Sequence, residues 1–244
     1  MCIMSDQIVL QVIQMGIPPE AVHTVYGDQY QWFQSALSRG PNPLSLDLRV
    51  TRPDLGETLP EPGDFDVAVI TGSWSMVTDR LDWSERTAEW VRQVIAQERP
   101  LLGVCYGHQL MAHALGGVVD YHPDGPEIGC RTVSLNPAGQ ADPFFSSFPQ
   151  QFQAHLTHWQ SVLQVPSGAV VLGSSEHDSH QIIRYAKNAL SVQFHPEFME
   201  ELMRHVIAGN NKSLSPENKT SLLDAVVDTV SARNILLQFV CQAV

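Results

Sequence analysis

The chain predicts an α/β fold, a mainly parallel central sheet with helices on both faces, and three features of its 244 residues carry that expectation. Strand-length apolar runs alternate with segments of helical periodicity through the first half. Most of those runs are apolar throughout rather than at every second residue, the mark of strands buried on both sides. One of them, Pro100-Leu101-Leu102-Gly103-Val104, leads through a cysteine between glycines straight into a helical pattern.

Ile8 to Gln14 reads as a buried strand ended by Gly16 and Pro18-Pro19. Asp28 to Leu37 reads as a helix closed by Gly40-Pro41, and Leu44 to Val50 as a second strand of alternating pattern. A loop rich in proline and glycine leads to a third strand, Asp66 to Ile70. Asp82-Trp83-Ser84-Glu85 has capping-box spacing and opens a helix whose apolar face carries Trp83, Trp90, Val91, Val94 and Ile95. The strand before Cys105 and the helix after it follow, stopped by Gly116-Gly117.

Beyond Gly117 the pattern shifts to short strands at 130–135, 152–156, 169–173, 181–185 and 190–194, with Lys187-Asn188 as the turn between the last two. A helix is expected from Glu197 to Ala208, then a polar break at 209–215. Ser215 caps, and Pro216 opens, one last amphipathic helix bearing Leu222, Leu223, Val226, Val227, Val230, Ile235, Leu236 and Phe239. This divides the chain into a domain over 1–208 and a helical extension over 209–244 that packs on it. There is no internal repeat or low-complexity segment.

With 43% hydrophobic residues the chain has ample material for one sizeable core. It has no apolar run of membrane-spanning length and no basic, then apolar, leader at its start, so a cytoplasmic protein is expected. The formal net charge of −12 and the lack of a basic stripe argue against nucleic acid or anionic lipid as a partner. Cys2, Cys105, Cys130 and Cys241 show no paired spacing and read as reduced thiols.

Cys105 sits where a nucleophile would. A strand–helix corner flanked by Gly103 and Gly107 is the cysteine counterpart of the Gly-x-Ser-x-Gly elbow. The start of the helix favours a thiolate and points the Tyr106 N–H at an oxyanion formed in front of the sulfur. Among ten histidines, His195 stands out because it ends an apolar strand and is followed by Pro196. Glu197, two residues on, can fix its tautomer. The turn Thr71-Gly72-Ser73-Trp74-Ser75 after the third strand reads equally as an ordinary connection or as the second oxyanion donor, from Gly72 or Ser73. Glu176-His177-Asp178-Ser179-His180 reads as a solvated turn, and His108 with His113 are awkwardly spaced for one ion, so neither is taken as a metal site.

Gly103-Val104-Cys105-Tyr106-Gly107-His108-Gln109 with Gln193-Phe194-His195-Pro196-Glu197 resembles the class I (triad) glutamine amidotransferases, and among them the glutaminase domain of GMP synthase. The resemblance covers roughly residues 60–200 in motif order. It implies a flavodoxin-like architecture, with Cys105 as nucleophile, His195 as acid/base and Glu197 as its orienter. It implies an oxyanion hole from Tyr106 and the 72–73 turn, and contact of Gln109 with the substrate amino acid. Thr157-His158-Trp159-Gln160 falls where the family places backbone contacts to the glutamine α-groups. The chemistry implied is hydrolysis of the glutamine γ-amide through a cysteinyl thioester, without metal or cofactor, the ammonia passing to a separate synthase subunit. Two departures stand out: Gly72-Ser73-Trp74 replaces a common Gly-Gly-Pro, and Trp159 replaces a common glycine. Nothing after residue 200 resembles a synthase domain. A peptidase or hydrolase of other γ-glutamyl compounds, acting without a synthase, is therefore the alternative. A weakly catalytic binding or regulatory protein is a third reading, against which the intact set of three groups argues.

Overall fold

A computed structural model describes residues 7–40, 44–210 and 214–243. The chain runs β1 (Ile8–Ile13), α1 (Glu20–Tyr26), α2 (Gln29–Ser38), β2 (Leu46–Thr51), β3 (Val67–Ile70), α3 (Asp82–Ala96), β4 (Leu101–Val104) and α4 (Tyr106–Ala114). It continues β5 (Val118–Tyr121), β6 (Glu127–Leu135), α5 (Pro137–Ala141), β7 (Gln151–His158), β8 (Gln160–Gln164), β9 (Val170–Ser174), β10 (Ile182–Ala186) and β11 (Ala189–Val192). The last helices are α6 (Glu200–Gly209), α7 (Pro216–Asp224) and α8 (Val230–Cys241).

One nine-stranded sheet, ordered β2-β1-β3-β4-β11-β10-β9-β6-β7, organises the molecule. The run from β2 to β11 is parallel. From β11 to β7 every pairing is antiparallel. β5 and β8 form a separate two-stranded ribbon. Successive side chains of the parallel strands feed opposite faces, as the two-residue period of a strand requires. Val67 and Val69 join Leu10, Val12, Leu102 and Val104 against Phe33 and Leu37 of α2 and Ile235, Leu236 and Phe239 of α8. Ala68 and Ile70 join Ile13 and Leu101 against Trp90, Val91 and Val94 of α3 and Leu110 and Met111 of α4. The predicted α/β layering, helices on both faces, is therefore what these apolar strands build.

Several local expectations are corrected. The single last helix is two, because its apolar positions serve two clusters. Leu222 and Val226 pack with α6, whereas Ile235, Leu236 and Phe239 enter the main core. The break between them carries Asp228, whose carboxylate accepts from the Arg233 guanidinium at 2.7 and 3.0 Å. Ser215 caps α7 as expected, its hydroxyl accepting from Asn218 N. The capping box at 82–85 does not form. The helix is preceded by Leu81 with no side-chain cap, Ser84 is buried against the Tyr106 hydroxyl at 2.6 Å, and Glu85 pairs with Arg80. The helix expected from Glu197 begins only at Glu200, since Glu197 is held by His195. α1, β5 and β8 escape the sequence reading; α1 buries only Val22, and β5 is mostly exposed, so neither shows a periodic apolar face. Cys2, Pro41 and the centre of the 209–215 break lie outside the described residues. Among those described, Cys105, Cys130 and Cys241 are free thiols, and no helix is long and apolar enough to cross a membrane.

Candidate active site

β3, β4 and β11 lie side by side and parallel, so the chain leaves all three at one edge of the sheet. Thr71 follows β3, Cys105 follows β4 and His195 stands three residues past β11. This is where the strand ends of a parallel α/β sheet collect ligands.

Cys105 has φ 50° and ψ −101°, a conformation costly for a side chain with a Cβ. The strain thus sits on the cysteine itself. The flanking glycines serve another purpose: a Cβ on Gly103 would fall 2.6 Å from the Gly107 carbonyl oxygen, and one on Gly107 would fall 2.5 Å from that of Ile70. They let α4 start hard against β3 and β4. The thiol donates a long contact to the Thr157 carbonyl oxygen at 3.9 Å. Tyr106 opens α4, so its N–H has no partner within the helix. Its ring is drawn the other way, towards Ser84 and Trp83, and burial pushes its phenol pKa up to about 12.

His195 is buried and its Nδ1 lies 2.8 Å from Glu197 Oε1, which is also buried. Burial opposes a charge on this imidazole, but the Glu197 carboxylate and the Cys105 sulfur outweigh it, and the pKa is pushed up to about 10. Nε2 is buried with no hydrogen-bond partner. With Nδ1 committed to the carboxylate, Nε2 is the nitrogen left to exchange a proton inside the cavity. Phe198 stacks on the ring, centroids 4.0 Å apart and planes at 22°, a cation–π contact for the imidazolium.

The turn after β3 is tied down by buried Thr71. Its hydroxyl accepts from Met15 N at 3.0 Å and lies 2.6 Å from Gln29 Oε1, and its carbonyl accepts from Gly107 N at 3.2 Å. Gly72 packs on Cys105 and His195: a Cβ there would lie 3.0 Å from His195 Cε1 and 3.6 Å from Cys105 Cβ. Ser73 turns its hydroxyl back to accept from Ser75 N at 3.1 Å.

A cavity of about 80 Å3 brings nine of the ten predicted residues together: Gly72, Ser73, Cys105, Tyr106, Gln109, Thr157, His158, Trp159 and His195. Glu197 stands behind His195. Two of the nine play parts that the sequence did not disclose. Gln109 Nε2 donates to the Gln160 carbonyl at 2.6 Å and Gln193 Oε1 at 3.0 Å, so its amide is already engaged. The His158 ring points away into a buried network, Nε2 3.1 Å from Glu127 Oε2 and Nδ1 3.0 Å from the Gln160 carbonyl. That network pins the 157–160 segment, which forms one wall. Glu127 and the aromatic groups Trp32 and Phe198 were missed, whereas Thr71, Trp74 and Gln160 lie in segments that the sequence singles out without giving these side chains a part of their own. Phe198 was the most readable of them, because it directly follows the His195-Pro196-Glu197 motif.

The His177–His180 turn holds no such geometry. His180 Nδ1 donates to the Val162 carbonyl, His177 Nε2 to that of Gly125, and no group of three or more ligand-type residues is placed to hold a metal among the described residues.

Fold and cavity define an α/β protein built around a cysteine elbow with a histidine–carboxylate pair beside it. The chain belongs to the class-I glutamine amidotransferase family, whose model matches residues 25–212. It is 30% identical over 173 residues to a glutamine-hydrolyzing GMP synthase subunit of Saccharolobus solfataricus, covering 70% of this chain and 86% of that one. It is 23% identical over 230 residues to gamma-glutamyl peptidase 3 of Arabidopsis thaliana, covering 91% of this chain and 90% of the relative. A glutamine amidotransferase from Thermotoga maritima of known structure shares its fold, with a TM-score of 0.76, 20% identity and coverage of 98% and 99%.

Proposed function

We propose that the chain hydrolyses a γ-glutamyl amide, glutamine being the simplest, through a thioester on Cys105. One observation carries the reading: Cys105, at a strained strand–helix corner, shares a cavity with His195, whose free Nε2 is buried and whose Nδ1 is held by Glu197. The Cys105 sulfur attacks the γ-carbonyl carbon, a C–S bond forms, and the oxyanion accepts from the Tyr106 N–H and the 72–73 turn. The C–N bond then breaks as His195 Nε2 gives its proton to the departing nitrogen. Water, losing a proton to the same nitrogen, attacks the thioester; the C–S bond breaks and glutamate leaves. Each half-reaction needs only groups already in the cavity, so no cofactor is called for. In this reading the backbone of Thr157 to Trp159 holds the glutamyl end, with Gln109 acting through its side-chain oxygen, since its amide nitrogen already donates to Gln160 and Gln193.

The relatives give the amine two fates. Ammonia would pass to a synthase partner, as the GMP synthase relative suggests, or the amine would simply be released, as in a gamma-glutamyl peptidase. Glutamate release from glutamine and from γ-glutamyl peptides tests the common chemistry. Cys105→Ala is expected to remove all of it, and residual activity in that variant would refute the assignment of the nucleophile.

A further inference from the structure

The cavity at Cys105 has two chemically different ends. Gln109 and Gln160, their amides hydrogen-bonded to Gln193, Val77 and Thr78, line one; Trp32, Trp74, Trp159 and Phe198 wall the other. The aromatic end runs into a second, larger groove of about 500 Å3, and Trp74, Thr157, Trp159 and Val206 line both. Pro19 and Val22 at the start of α1 line it together with Val206 of α6. The volume is that of a small-molecule site. Its position is set by His195. From that ring, Phe198 stacks at 4.0 Å, Trp32 meets Phe198 at 5.6 Å, and Trp74 meets Trp32 at 6.3 Å. In the reaction proposed above, the nitrogen that leaves takes its proton from His195, so a substituent on that nitrogen begins at the head of this path of rings.

We infer that the preferred substrate is an N-substituted γ-glutamyl amide whose leaving amine carries an uncharged apolar or aromatic group, bound in the groove between Trp74, Trp159 and Val206. Ammonia has no apolar surface to bury there, so glutamine leaves the groove unused. The lining argues against a charged leaving group too: no Asp, Glu, Lys or Arg lines either cavity among the described residues, and the groove's imidazole, His205, is taken up edge-on against Tyr26 at 5.3 Å. An amine lacking further charge fits both facts, and its burial is binding energy that a substrate can spend at the reacting carbon. This assignment rests on the γ-glutamyl amide reading, with the thioester chemistry unchanged: the C–N bond broken is that to the substituted amine, which leaves with the His195 proton.

The test compares kcat/KM of the full chain for glutamine, γ-glutamylmethylamide and γ-glutamylbenzylamide. The benzylamide is expected to exceed the other two by about tenfold or more, the return for burying a ring. Trp74→Ala and Val206→Ser should each shrink the benzylamide-to-methylamide ratio at least threefold. Equal kcat/KM for benzylamide and glutamine overturns the groove assignment alone. Variants that lower all three substrates alike overturn it as well. No turnover of any amide overturns the reaction, and the groove assignment with it.

Discussion

Cys105 keeps a backbone conformation that its side chain disfavours, and the sheet and α4 impose it. Its N–H donates to Val192 O at 2.9 Å while the helix begins one residue later. Glycine tolerates such a φ where alanine does not. We therefore expect Cys105→Gly to melt at no lower temperature than Cys105→Ala, the reverse of the usual ranking, with both inactive; scanning calorimetry decides it. Gly72 is held to its type by contact rather than by φ. Gly72→Ala would press a methyl 3.0 Å from His195 Cε1. Because misplacing a reacting group by about 1 Å can cost about a hundredfold, kcat should fall by roughly that factor with KM less affected. The sequence made Cys105, His195 and Glu197 legible because local rules act on them: a glycine-flanked corner and a proline stop. Glu127 and Trp32 were illegible because their relevance arises only when β6 and α2 are brought to the cavity by the fold.

At the scale of elements, the closeness of α4 to β3 and β4 is what the glycines secure. Gly103→Ala would place a Cβ 2.6 Å from both the Gly107 carbonyl oxygen and Met111 Sδ, and no neighbouring backbone can yield. The expected loss is about 1–3 kcal/mol, read from denaturant midpoints. α8 is no appendage: Ile235 and Leu236 are fully buried in the core shared by β1, β3, β4 and β11. Leu236→Ala should cost about 2–5 kcal/mol by the same measurement, the value for a deep core leucine and not for a surface helix. The long, uniformly apolar strands could be read in order from the sequence, since burial on both faces leaves a contiguous signature. The division of α7 from α8 could not, because one apolar stripe continues across residues that serve two different clusters.

Across the whole molecule, buried histidines set opposite limits on stability with pH, His195 at the alkaline end and His108 at the acid end, where His155 is lowered by burial as well. His195 is raised from 6.5 to about 10, so the stability it contributes is complete below about pH 6.5 and is lost as pH rises towards 10. His108 is lowered from 6.5 to about 3, chiefly by burial, so its cost appears as pH falls from 6.5 towards 3. A ring of hydrogen bonds fixes it neutral: Nδ1 lies 2.7 Å from Ser191 Oγ, which donates to Tyr185 at 3.1 Å, and Tyr185 donates to the His108 carbonyl at 3.4 Å. Thermal melts against pH should show a maximum near 6.5. His195→Gln is expected to flatten the alkaline limb and His108→Gln the acid one.

A covalent bond between Cys105 and a γ-glutamyl group is the centre of the proposed chemistry. Rapid acid quenching during turnover of γ-glutamylbenzylamide, followed by mass analysis of the peptide that contains Cys105, measures it directly. We expect that peptide to carry one γ-glutamyl group, labile to hydroxylamine and absent from Cys105→Ala. Steady release of glutamate with Cys105 unmodified, and undiminished in Cys105→Ala, would contradict it.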